Sequence, residues 1–122
     1  MKKLAVIVPC YNEELVIGES YRRTKAALQS MPIDTEIIYI NDGSRDKTRE
    51  LLDGIAASDP HVKVIHFSRN FGKEAAVYAG MAQATGDVVA VMDCDLQHPP
   101  ETLISMYHLW EQGWEVIEGV KK

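Results

Sequence analysis

The 122-residue sequence holds only two cysteines, Cys10 and Cys94, with no CxxC spacing. That excludes a disulfide framework and makes a reducing cytoplasm the expected setting. Basic charge is scarce too: 13 Lys and Arg stand against 18 Asp and Glu, a formal net charge of −5. Recognition of a phosphate backbone needs a basic face, so no nucleic acid is expected as the main partner. Purely apolar runs such as Leu4-Ala5-Val6-Ile7-Val8 fall far short of the roughly 20 residues that a membrane helix requires. Nor does the Lys2-Lys3 start make that run a signal peptide, because Pro9, Asn12, Glu13 and Glu14 interrupt it and no small-residue cleavage site follows. No GxGxxG follows the run, which argues against a dinucleotide-dependent dehydrogenase. Repeats, low-complexity stretches and linkers are also missing. With 46% hydrophobic and 25% charged residues, the composition is that of an ordinary globular domain, neither disordered nor fibrous.

What is present is an alternation of two periodicities. Residues 4–8 form an unbroken apolar run, the pattern of a strand buried on both faces. Asn12 is placed to cap a first helix, with Glu13 and Glu14 complementing its dipole and Ile17, Tyr21, Thr24 and Leu28 on one stripe. A second strand is expected over 36–40, a second helix over 45–57, a third strand over 62–67 and a third helix over 72–84. Small residues on that third helix, Ala75, Ala76, Ala79, Gly80 and Ala82, predict close packing on a sheet. A fourth strand over 87–92, a helix opening at Pro99-Pro100 and a fifth strand over 114–118 complete the series. The order predicts an α/β fold: a mostly parallel sheet with helices on both faces.

In such sheets ligands bind beyond the carboxyl ends of the strands. Four of those ends carry polar turn residues on one rim. Asp93-Cys94-Asp95 sets two carboxylates two residues apart after an apolar strand, where they repel unless a cation lies beside them. Oxygen ligands favour Mg²⁺ or Mn²⁺ shared with a diphosphate, and Gln97 would add an oxygen or orient a bound water. An acidic surface turn is the alternative. Asp42 is suited either to accept from a nucleobase or ribose, or to satisfy local backbone amides. Lys73 stands in the first turn of a helix, where the dipole disfavours a cation and a bound anion would relieve the conflict; a solvated lysine is the other reading. Arg69 would assist such an anion. Tyr11 is suited to stack on a base or to cover the strand end. Cys10 and Cys94 are expected beside the site as small half-buried residues, and His98 to fix a helix start.

The series Val8-Pro9-Cys10-Tyr11-Asn12-Glu13-Glu14, Asn41-Asp42-Gly43-Ser44-Arg45-Asp46-Lys47-Thr48, Ser68-Arg69-Asn70-Phe71-Gly72-Lys73-Glu74-Ala75 and Asp93-Cys94-Asp95-Leu96-Gln97-His98-Pro99-Pro100-Glu101 resembles family 2 glycosyltransferases. Within that family it is most similar to the polyisoprenyl-phosphate branch, of dolichol-phosphate mannose synthase and bactoprenol glucosyltransferase type. The resemblance spans essentially the whole chain and implies the Rossmann-like N-terminal half of a GT-A fold binding a UDP- or GDP-sugar. It implies that Pro9, Tyr11, Asn12 and Glu13 border the nucleotide and that Asp42 accepts from the base. Lys73 would lie near the nucleotide, and Asp93 would contact ribose or metal. Asp95 would hold the metal and Gln97 support it, so that Asp93 and Asp95 form the catalytic pair. The implied reaction is inverting transfer of a sugar, with a lipid phosphate as acceptor.

Members of this branch continue into an acceptor-binding half. Residues 1–122 are therefore expected to be the nucleotide-sugar-binding part, truncated at its C-terminal end and without turnover on its own. An open sheet edge would favour a homo-oligomer. The full-length protein is expected at the cytoplasmic face of the membrane. Two rivals stand beside this reading. One is a non-catalytic nucleotide-binding or assembly module. The other is an aspartyl phosphotransferase, whose DxD normally follows the first strand rather than the fourth.

Overall fold

The computed structural model describes residues 3–95 and 99–111. The expected fifth strand, Gln97 and His98 lie outside the described residues. Among those described, the order is β1 (Lys3–Cys10), α1 (Ile17–Gln29), β2 (Asp34–Asn41), α2 (Thr48–Ser58), β3 (Val62–His66), α3 (Lys73–Gln83), β4 (Val88–Val91) and α4 (Thr102–Glu111). The four strands form one sheet in the order β3-β2-β1-β4, and every pairing is parallel.

The unbroken apolar run makes β1 an inner strand. Ala5, Val6, Ile7 and Val8 have no solvent exposure at all, and each such aliphatic side chain contributes about 1.5–3 kcal/mol by leaving water. Alternate residues point to opposite faces. Leu4, Val6 and Val8, with Ile37 and Tyr39, meet Ile17 and Leu28 of α1, Leu52 of α2, and Leu103 and Tyr107 of α4. Ile7, Ile38 and Ile40 meet Ala76 of α3 on the other side. The chain moves outward from β1 through β2 to β3, then returns across β1 to β4. Right-handed crossovers in those two directions put their helices on opposite faces, as observed.

Two helices begin later than their sequence pattern suggests. Asn12 does not cap α1, which starts at Ile17 behind Val16. Instead Asn12 adopts a left-handed φ of 53°, a conformation asparagine tolerates better than most residues. Helix α2 starts at Thr48, not Arg45, because Asp46 Oδ1 accepts from the Thr48 N–H and holds the preceding residues in a turn. The buried stripe of α1 includes Ile17, Thr24 and Leu28; Tyr21 is half-buried and donates its hydroxyl proton to Asp59. No helix among the described residues is long and apolar enough to cross a membrane.

Of the small residues on α3, Ala76 and Gly80 are the buried ones. A Cβ on Gly80 would lie 2.6 Å from Ile7 Cγ2 and 2.9 Å from Ile40 Cδ1. Alanine there would gain about 1 kcal/mol of helix propensity, but overpacking two core isoleucines costs about 1–3 kcal/mol. Gly80→Ala is therefore expected to lower the urea unfolding midpoint. A raised midpoint would show that α3 can lift off the sheet freely.

Candidate functional site

The strand order reverses between β1 and β4, and at such a switch point the flanking loops diverge and leave a crevice. Parallel registry brings the ends of β1 and β2 level, while β4 ends three residues lower, opposite Ile7. Cys10 pairs with Asn41 across β1 and β2. The β1–β4 pairing runs Leu4 with Val88 through Ile7 with Val91.

Loop residues beyond a sheet carry backbone N–H groups with no ladder partner, and these need acceptors. The loop 41–48 supplies them. Ser44 Oγ accepts from Asn12 N at 2.9 Å, Thr48 Oγ1 from Glu13 N at 2.8 Å, and Asp46 Oδ2 from Glu14 N at 3.1 Å. Asn12 returns the contact, its Oδ1 accepting from Arg45 N at 2.8 Å. On the other side, buried Asp42 accepts from Phe71 N at 2.7 Å, Gly72 N at 3.0 Å and Asn70 Nδ2 at 3.1 Å. Its carboxylate thus satisfies amides of the β3–α3 loop, distant in sequence. Gly43 presses on the same loop: a Cβ there would lie 2.2 Å from the Arg69 carbonyl carbon.

Within this frame lies a cavity of about 390 Å³. It brings together Pro9, Tyr11, Glu13, Asp42, Lys73, Asp93 and Asp95, the residues singled out from the sequence. Asn12 is not among its lining residues. Asn70 and Gly72 also line it, although neither was singled out; their signal was their place inside the motif that carries Lys73. Cys10 and Cys94 are each only 2% exposed, so they form a buried floor instead of half-buried neighbours. The Cys10 thiol is pushed well up by its hydrogen bond with Cys94, then by burial, and by the Cys94 and Glu13 charges, so it stays protonated.

The charges in the cavity are not balanced evenly. Lys73 Nζ lies 2.7 Å from Asp93 Oδ1, with Lys73 exposed and Asp93 largely covered. Lys73 is therefore engaged by a carboxylate and not merely solvated. The Glu13 carboxyl is pushed up by burial first, then by the Asp95 charge, with Asp46 and Asp93 adding to it against a hydrogen bond with Cys94. Its Oε2 is buried without a hydrogen-bond partner. Among the described residues no three ligating side chains are close enough to hold a metal ion by themselves. Mg²⁺ and Mn²⁺ do not need three, because one or two carboxylates plus substrate phosphates suffice. An orphaned carboxylate oxygen beside two aspartates fits such a hard cation. Asp93 and Asp95 would hold it.

A sequence model described as Glycosyl transferase family 2 matches residues 5–121. The chain belongs to that family. As a family 2 glycosyltransferase chain it is 44% identical over 117 residues to the uncharacterized glycosyltransferase YkcC of Bacillus subtilis, covering 96% of this chain and 36% of the relative. It is 39% identical over 115 residues to the bactoprenol glucosyl transferase of Shigella phage SfV, covering 94% and 38%. The chain thus spans little more than a third of the length of these relatives. The fold is that of GT-A glycosyltransferases. Glucosyl-3-phosphoglycerate synthase from Mycobacterium tuberculosis, solved with Mn²⁺, uridine diphosphate and phosphoglyceric acid, superposes with a TM-score of 0.68 at 25% identity. That match covers 89% of this chain and 39% of the other.

Two substitutions test this frame and its charges. Asp42→Asn exchanges an all-acceptor group for one with a single acceptor oxygen, which sets an amide donor against loop N–H groups. A loss of about 1–3 kcal/mol is expected by urea unfolding; an unchanged midpoint would mean that the loop does not depend on Asp42. For Glu13 the sign is opposite. A carboxyl whose pKa is raised in the folded state opposes folding once ionised, and that cost is absent below the ordinary Glu range. Glu13→Gln is therefore expected to raise the thermal midpoint at neutral pH, with the gain vanishing as pH falls below that range. No gain at neutral pH would sink the idea of an uncompensated carboxylate.

Proposed function

We propose that this chain carries the donor site of a hexosyltransferase that takes a UDP- or GDP-hexose, uses Mg²⁺ or Mn²⁺, and passes the sugar with inversion to a polyisoprenyl phosphate. The observation that carries the reading is the cavity at the β1–β4 switch point, where Glu13, Asp93, Asp95 and Lys73 meet below Tyr11 and Pro9. The acceptor class is supported by the name of the phage relative, a bactoprenol glucosyl transferase. Such an acceptor would place the full-length protein at the cytoplasmic face of a membrane.

In this reading Tyr11 and Pro9 border the base, and Asn12 acts through the loop that it ties down. Three of the roughly four acceptor sites on Asp42 are taken by the β3–α3 loop, leaving one for a donor on the base. Lys73 leaves Asp93 for the diphosphate, whose negative charge suits both the ammonium and the α3 amides. Asp93 would then be free for ribose or metal, and Asp95, supported by Gln97, would hold the metal. A bound divalent cation would offset the charge developing on the departing nucleoside diphosphate. Displacement at the anomeric carbon from the opposite side inverts it, and an acceptor phosphate, already anionic, needs little general base.

Calorimetric titration with UDP and with GDP, each with and without Mn²⁺, tests the donor site. Metal-dependent binding of one nucleotide, abolished in Asp95→Ala, is expected; binding indifferent to both metal and Asp95 would overturn the assignment. A transfer assay with polyisoprenyl phosphate separates catalysis by these 122 residues from a nucleotide-binding module, and binding without transfer is expected.

A further inference from the structure

A second cleft, of about 280 Å³, lies against the first and shares Tyr11 and Asn70 with it. Arg45, Arg49 and Arg69 line it, with Ser44, Phe67 and Tyr11. The loop before α2, the first turn of α2 and the distant β3–α3 loop contribute these arginines, and the contact of Gly43 with the Arg69 backbone brings the two loops together.

Three arginines lining one cleft stand out in a chain of net charge −5. Like charges repel, and the repulsion is relieved by an anion among them. The nearby carboxylates do not provide it. Asp46 accepts from the Glu14 and Thr48 amides, Asp42 is taken up by the β3–α3 loop, and Asp53 lies 2.7 Å from His66 Nε2. Among the described residues, the ion pairs of carboxylates involve none of these three arginines. Arg69 instead stacks over the Phe71 ring, 4.6 Å from its centroid. Arg49 stands in the first turn of α2, where the helix dipole adds further positive potential.

We infer that this cleft is an anion subsite, distinct from the donor cavity, that takes the phosphate group of a small phosphoester or of an anionic phospholipid head. Planar guanidinium forks match phosphate oxygens two at a time, and the Ser44 hydroxyl adds a neutral donor. The volume suits a phosphate with a small substituent and is too small for a whole nucleotide sugar. None of Glu13, Lys73, Asp93 or Asp95 lines this cleft, so the inference does not depend on the donor-site reading. Tyr11 forms a wall of both cavities, so an anion here changes the surface that the donor cavity presents.

The test is a titration of the 122-residue chain with inorganic phosphate, followed through backbone amide resonances. Shifts at Ser44, Arg45 and Arg69 are expected in the wild type and in Lys73→Gln. Arg49→Gln with Arg69→Gln is expected to weaken the response at least about tenfold, the loss of one or two charge-assisted bonds. Both side chains are exposed, so the double variant should fold; matching circular dichroism checks it, and each single variant replaces it if it does not. Sedimentation with phosphatidylcholine vesicles, with and without phosphatidylglycerol, identifies the source. Binding to phosphatidylglycerol vesicles that the double variant loses assigns the subsite to a lipid head; a phosphate response without vesicle binding assigns it to a free phosphoester. A response to neither, one that survives the double variant, or one that Lys73→Gln abolishes would overturn the proposal.

Discussion

Backbone amides stranded beyond the ends of a parallel sheet must find acceptors, and here one short loop provides nearly all of them. From residues 41–48, Asp42 reaches the β3–α3 loop while Ser44, Asp46 and Thr48 hold three successive amides after β1. Two of these acceptors are covered, Asp42 at 5% exposed and Thr48 not at all, while Ser44 and Asp46 are half-buried. Bonds of that kind are strong in a low-dielectric setting and costly to leave unmade. The rim is therefore built before any ligand arrives, and the cavity walls inherit their positions from it.

The same frame gathers charges that oppose one another. Half-buried Glu13 keeps one buried, unsatisfied oxygen near Asp93 and Asp95, and Lys73 pairs with Asp93. Such an arrangement costs stability in the unliganded chain, and a cation with a diphosphate is a natural complement to it. Tyr11 and Asn70 line both this acidic cavity and the arginine-lined cleft. Two sites of opposite sign thus share one aromatic wall, although the chain as a whole is acidic.

Much of the fold was legible as pattern. The run at 4–8 marked a strand buried on both faces, and β1 is that strand. Of the stripe Ile17, Tyr21, Thr24 and Leu28, all but half-buried Tyr21 lie buried on α1, and of the small residues Ala75, Ala76, Ala79, Gly80 and Ala82 on α3, Ala76 and Gly80 are the buried ones. Helix starts were less legible. Asn12 has the chemistry of a cap, but its oxygen serves Arg45 N, 33 residues away. Asp46 likewise delays α2 by holding Thr48. Short polar side chains accept from whichever amide the tertiary fold brings near, and local sequence does not record which one that is.

By itself, the sequence determined the alternation of strands and helices, the polar character of each βα loop, and the family through four motifs in order. The first two follow from periodicity and residue chemistry, which are local, and the family from the resemblance of those motifs. Only the tertiary structure decided the order β3-β2-β1-β4, and with it the crevice between β1 and β4 where Glu13 meets Asp93 and Asp95. It also decided that Asp42 is spent chiefly on the loop at 70–72, that Lys73 pairs with Asp93, and that three separated arginines share one cleft. Strand order and loop contact join residues tens of positions apart, so they emerge only when the sheet has closed and every stranded amide has found its acceptor.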